Sequence, residues 1–174
     1  MGRLLIVVDM QKDFVDGALG FEGAETIIPG IIGKINEYKN TGDDIVYTLD
    51  THGQNYMSTQ EGRNLPVPHC IDGSEGHELC EELKPHLAGL KAFKKPTFGS
   101  LELGNYISEN KDKYESVELV GLVSNICVVS NAVIAKAAAP EAEIIVDPAL
   151  TSSFDPVLGK EVFDILKGIQ VTVR

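Results

Sequence analysis

Four apolar, β-branched runs punctuate the chain: residues 3–9 (RLLIVVD), 45–50 (IVYTLD), 116–123 (SVELVGLV) and 143–147 (EIIVD). Each is nearly unbroken rather than alternating, which predicts strands covered on both faces, as in a parallel sheet. Shorter signals at residues 90–93 and 169–174 add a weak third strand and a closing one. Between these runs, apolar residues recur at helical spacing over residues 24–39, 76–87, 100–110, 127–139 and 156–167. Strands that alternate with helices of this length build βαβ units. The pattern therefore predicts an α/β fold: a doubly wound, Rossmann-like three-layer sandwich with a mostly parallel sheet, residues 1–174 forming a single domain. Only residues 51–76 break the rhythm, in a run crowded with Gly, Asn, Pro, Ser and Thr. A stretch this long without a period is usually functional, and His52, Glu61, His69 and Asp72 fall inside it.

Composition narrows the function classes. The chain has 174 residues, 43% of them hydrophobic and 24% charged, the balance of an ordinary soluble protein. Fifteen Lys and Arg against 26 Asp and Glu give a formal net charge of -11, which repels phosphates and argues against nucleic-acid binding. No apolar run approaches the ~20 residues of a membrane span, and no cleaved signal is expected ahead of the first strand. Three cysteines (Cys70, Cys80 and Cys127) are too few for a disulfide framework, so a reducing cytoplasm is expected.

Ligands of doubly wound sheets sit at the carboxyl ends of the strands. There the first strand runs into DMQKDF, with no Gly-x-Gly-x-x-Gly, so a dinucleotide site is not expected. Cys127 follows the 116–123 strand at the start of a helical pattern, where exposed N–H groups and the helix dipole favour a thiolate. Asp9 ends the first strand, and Lys95 follows the weak one. Each alone admits a bland role: a buried small hydrophobe, a helix cap, a solvated lysine. Together at one cleft, the lysine would lower the thiol's pKa and the carboxylate would accept its proton. Asp50 and His52 end the second strand two residues apart and point the same way. With His69 they suit a borderline divalent ion such as zinc, manganese or iron. His77 and His86 read as surface residues in or near a helix.

Three separated segments, IVVDMQKDFVDGAL, KPTFGS and GLVSNICVVSNA, resemble the isochorismatase-like cysteine hydrolases, and within them the nicotinamidases. The resemblance implies the catalytic set Asp9, Lys95 and Cys127, a cis peptide at Leu122–Val123, and an oxyanion hole from the amides of Val123 and Cys127. It implies a divalent metal, zinc first, on Asp50, His52 and His69; Glu61 replaces a further loop histidine, whose place Ser58 occupies. It also implies a substrate pocket containing Phe14, with an aromatic just before the last metal histidine; here that region holds Leu65 and Pro66. The expected activity is hydrolysis of nicotinamide, or a similar small aromatic amide, by a cytoplasmic dimer or tetramer serving pyridine nucleotide salvage. A metal-independent relative cleaving carbamoyl or ureido compounds is the second reading, and a non-catalytic binding domain the third.

Overall fold

The computed structural model describes residues 1–174. Six strands form one sheet: β1 (Gly2–Val8), β2 (Asp44–Asp50), β3 (Lys91–Lys95), β4 (Tyr114–Leu122), β5 (Glu143–Ser152) and β6 (Thr172–Val173). Their order is β3-β2-β1-β4-β5-β6, and every neighbouring pair is parallel. The first half of the chain is laid down on one side of β1 and the second half on the other. The reversal between β1 and β4 is the topological switch point, where a crevice opens beyond the strand ends.

Residues Leu4 to Val8 have no exposed surface, the signature of a strand with a layer on each side. Alternation sends Leu4, Ile6 and Val8 into one core and Leu5 and Val7 into the other. The first core is closed by α5 (Leu101–Asn110), α6 (Val129–Ala138) and α7 (Pro156–Gly168). The second is closed by α1 (Lys12–Val15), α2 (Ile28–Thr41) and α4 (Lys84–Leu87). Periodicity explains α2, which buries Ile28, Ile31, Ile35 and Tyr38 on one stripe. Asp155 caps α7 by accepting from the amides of Val157 and Leu158, with Pro156 at the first helical position.

Several expectations need correction. The helix expected over residues 76–87 survives only as the single turn α4; further up, the backbone bonds elsewhere. Lys12 donates to the Glu78 carbonyl and Cys80 to that of Met10, so tertiary pairing replaces the helical ladder. His77 is buried, its ring bonded to Thr51 Oγ1 at 2.8 Å, rather than lying on the surface. The expected loop over 51–76 contains a 3-10 turn (Tyr56–Ser58) and a short helix, α3 (Gln60–Asn64), capped by Thr59. The weak third strand runs further than expected, to Lys95 itself. Where β4 passes β1, Gly121 adopts φ +115, and any side chain there would collide with the Val8 carbonyl. That glycine keeps the two strands at the switch point close together.

Candidate active site

The crevice at the switch point collects the expected residues. Asp9 leaves β1 in a left-handed conformation, φ +46, and is fully buried. Few non-glycine residues hold that conformation, and aspartate tolerates it better than most. Its Oδ1 accepts from Thr48 Oγ1 at 2.6 Å. Its Oδ2 stands 2.7 Å from Lys95 Nζ as an ion pair, yet no donor is aligned with it as a hydrogen bond. That oxygen is an acceptor in waiting. Burial raises the Asp9 pKa, and Lys95 only partly offsets the rise.

Lys95, 1% exposed, is the hub. Besides Asp9, its ammonium reaches Asp50 Oδ1 at 3.1 Å, the Thr97 carbonyl at 3.1 Å and Cys127 Sγ at 3.4 Å. Burial works against its charge, but Asp9, Cys127 and Asp50 together hold its pKa above the ordinary lysine value.

Cys127 lies in a π-helical turn, Ser124–Val128, that leads into α6, rather than in an ordinary first turn. Such turns are rare and concentrate at functional sites. The Leu122–Val123 peptide before it is cis. Sequence reasoning expected a lowered thiol pKa; instead burial, then the charge of Asp9, push it well above its usual value against the pull of Lys95. The resting group is therefore a thiol beside a carboxylate, so its proton must move when it reacts. Asn131, which carried no signal beyond its place in the third motif, fixes this turn. Its amide donates to the carbonyls of Cys127 (2.8 Å) and Phe98 (3.1 Å) and accepts from the Ser100 amide (3.0 Å).

Beside this trio, single donor atoms of Asp50, His52, Glu61 and His69 all lie within 4.8 Å of one another. Nε2 of His52 is 2.8 Å from Asp50 Oδ2 and 3.6 Å from Glu61 Oε1; Nε2 of His69 is 3.3 and 3.8 Å from the same atoms. Donors about 2.0–2.2 Å from one tetrahedral ion stand roughly 3.3 Å apart, so two nitrogens and two oxygens here suit a divalent metal. The second shell fits as well. His69 Nδ1 bonds the Val67 carbonyl at 2.8 Å, which leaves Nε2 as the donor facing the site. Burial alone would raise the Asp50 pKa, but its contacts with His52, His69 and Lys95 hold it below the ordinary range.

Three residues outside the expected set hold this group in place. Gln11, fully buried, grips Asp50 at both backbone groups, accepting from its amide at 2.8 Å and donating to its carbonyl at 2.9 Å. Tyr56 packs against both imidazoles, 4.7 Å from His52 and 5.0 Å from His69 between ring centroids, and donates to the Leu65 carbonyl. Asp13 Oδ2 accepts from the amide of Cys70 at 2.7 Å, fixing the chain just after His69. Of these, Gln11 and Asp13 sit inside the first motif, while Tyr56 lies in the irregular run with nothing to mark it. Cys70 itself is fully buried in the core and contributes no donor to the cluster.

Above both groups opens a cavity of about 370 Å³, where Asp50, Glu61, His69 and Cys127 meet a wall of nine further hydrophobic residues. Phe14 and Leu65 both line it, as expected. Phe98, the aromatic of the KPTFGS segment, lines it too, with Phe21 and Phe154 from loops whose sequence gave no such signal. A larger cleft of about 630 Å³ between Lys12, Glu25 and Glu82 is open, charged and empty of the expected chemistry.

The family described as Isochorismatase domain matches residues 3–173. The nicotinamidase of Acinetobacter baylyi is 29% identical over 174 aligned positions, spanning 82% of this chain and 78% of that protein. Among solved structures, the pyrazinamidase of Pyrococcus horikoshii in complex with zinc is 25% identical, with a TM-score of 0.83 over 100% of this chain and 99% of that one. The N-carbamoylsarcosine amidase of Thermoplasma acidophilum is 27% identical, with a TM-score of 0.82 over 100% of this chain and 96% of that one.

Proposed function

The chain belongs to the isochorismatase family, and on that premise we propose that it is an amidohydrolase of the nicotinamidase type. Its substrate is nicotinamide or a similar small aromatic amide, and its products are the acid and ammonia. One observation carries the reading: a buried carboxylate, ammonium and thiol converge beside an apolar cavity that Cys127 lines, and three of the four clustered metal-donor residues, Asp50, Glu61 and His69, line the same cavity.

Asp9 Oδ2, held by Lys95 as an ion pair but with no aligned hydrogen bond, takes the proton of Cys127 as sulfur attacks the amide carbon. The raised pKa of Asp9 makes it a stronger acceptor than a surface carboxylate. Lys95 keeps its charge beside both groups and favours the thiolate as it forms. The amides of Val123 and Cys127 hold the oxyanion. Asp9 then returns the proton to the departing nitrogen, which leaves as ammonia, and a thioester remains. Water, deprotonated by Asp9, adds to the thioester carbon; the acid departs and Cys127 recovers its proton. Asp50, His52, Glu61 and His69 would hold zinc, or else manganese or iron, whose chemistry here is to template the ring nitrogen of the substrate. Residues 1–174 act as one domain, in a cytoplasmic homo-oligomer on this reading.

The carbamoyl-hydrolase alternative is less favoured. N-carbamoylsarcosine carries a carboxylate, and no lysine or arginine lines this cavity to receive one. The deciding experiment is ammonia release from nicotinamide by purified protein, with metal content measured on the same sample. Release that is lost on chelation and restored by a divalent ion is expected. No release from metal-loaded protein would remove nicotinamide as the substrate.

A further inference from the structure

Four of the six phenylalanines of the chain, Phe14, Phe21, Phe98 and Phe154, line the one cavity. Phe14 is 7% exposed and packs edge-on to His69 at 5.7 Å, so it belongs to the inner end with the metal donors. The outer end is different. Phe154 is 58% exposed and Phe98 46%, and Phe154 meets Phe21 edge-to-face at 6.1 Å. Phe21 comes from the loop after α1 and Phe154 from the loop between β5 and α7, so this pair joins two loops across the rim. Large apolar side chains left in contact with water around a cavity mark a surface that gains from being covered.

Size and charge say by what. A dry cavity of about 150 Å³ holds benzene, so a nine-heavy-atom amide such as nicotinamide needs about 225 Å³ on the same scale. More than a third of the 370 Å³ cavity is then unused. The polar side chains of the lining are those of Asp50, Glu61, His69 and Cys127, while Leu19, Phe21, Phe98 and Phe154 are among the apolar residues that line the rest. Lys95, the cation of the site, is 1% exposed and is not part of the lining.

We propose that the Phe21–Phe154 pair forms an outer subsite that accepts an uncharged, apolar substituent on the substrate ring, so that this enzyme acts on alkyl-substituted aromatic amides at least as well as on the bare ring. The proposal rests on the amidohydrolase reading above, which supplies the orientation: carboxamide at Cys127, the opposite ring edge toward the rim. It gives the two aromatics a specificity-determining role in place of the missing aromatic near Leu65.

The test compares nicotinamide with nicotinamide bearing an ethyl group on ring carbon 5, which adjoins neither the carboxamide carbon nor the ring nitrogen. Its anionic counterpart carries a carboxylate at the same carbon. Ammonia release gives the kcat/KM ratio of each pair, and calorimetry on metal-loaded Cys127→Ala protein gives the ratio of dissociation constants. The ethyl amide should match or exceed nicotinamide, and both ratios should fall about tenfold in Phe154→Ala and in Phe21→Ala, the scale set by two buried methylenes. The carboxylate compound should bind at least about tenfold more weakly than the ethyl one. An ethyl amide disfavoured by the unaltered protein, or ratios that stay fixed in both variants, would overturn the subsite. If ammonia release fails for both amides while the binding ratio still shifts, the reaction assignment falls and the subsite stands. Absence of binding by either amide defeats both.

Discussion

The trio Asp9, Lys95 and Cys127 and the quartet Asp50, His52, Glu61 and His69 share one cavity but are built in opposite ways. The trio is drawn from three places far apart in the chain, each at or just beyond the carboxyl end of a different strand. Its members are almost completely buried, and the sheet itself fixes their spacing. The quartet comes from one strand end and the short stretch that follows it, where the sheet gives way to a single bridge between His52 and Ile71. There, individual side chains add to that hold: Gln11 on the backbone of Asp50, Tyr56 against both imidazoles, and Asp13 on the Cys70 amide. On the proposed function, proton transfer falls to residues held by the sheet and metal ligation to residues held mostly by side-chain contacts.

The sharpest way to separate the two groups is Cys127→Ala, which should lower ammonia release by on the order of 10⁴-fold or more while metal content by elemental analysis stays unchanged. Asp9→Asn should cost about 10²–10⁴-fold, the usual range for a general base, and should remove the acidic limb of the pH profile. The sign follows from the mechanism: Asp9 must be ionised, so activity rises with pH through its raised pKa, at a midpoint above the ordinary aspartate value. Stability runs the other way. With the folded pKa above the unfolded one, the contribution of Asp9 is full below the unfolded value and is lost as pH rises through the folded value. Chemical denaturation across mildly acidic pH should therefore show a slope that Asp9→Asn flattens.

On the metal side, His69→Ala should strip the ion and lower turnover at least about 100-fold, because a lost ligand should cost no less than a lost second-shell partner. Its circular dichroism spectrum should remain that of the unaltered protein, since the sheet does not depend on the loop. The smallest effect is expected at Asp13. Asp13→Ala leaves the Cys70 amide without its partner and should cost about 1–3 kcal/mol in denaturant titrations. Asp13→Asn, which keeps an acceptor, should recover most of that loss. Metal affinity falling in Asp13→Ala while the rate of Cys127 alkylation in the folded protein stays unchanged would place the damage in the loop. Equal damage to both groups would break the comparison.

The same division decides what could be read from the sequence. Unbroken apolar runs announced β1, β2, β4 and β5, and strand ends in a doubly wound sheet are where ligands gather, so the neighbourhood of Asp9 and Cys127 was legible from pattern alone. The resemblance to the isochorismatase-like hydrolases, now supported by a family match over residues 3–173, implied that Asp9, Lys95 and Cys127 act as one set and added Glu61 to the donors Asp50, His52 and His69. Residues that act through backbone bonds were not legible. Thr48 shares a strand face with Asp50 and could have been suspected from its i, i+2 spacing. Tyr56 and the rim phenylalanines lie in irregular segments, where no period says which way a side chain points. The failed helix over residues 76–87 had the right apolar spacing, but its amides found partners on the segment after β1, and tertiary pairing outweighed local propensity.

The two margins of the sheet have a bearing on how the molecule behaves among its own kind. One margin is β3, whose exposed Lys91 and Lys94 put charge on a five-residue strand. The other is β6, only two residues long. Charge on one side and brevity on the other leave little template onto which another chain could extend the hydrogen-bonded ladder, the usual starting point of fibrous aggregation. Copies of this protein that meet in a crowded solution therefore meet through side chains on helices and loops, and a strand-by-strand fusion of their sheets is discouraged from both directions.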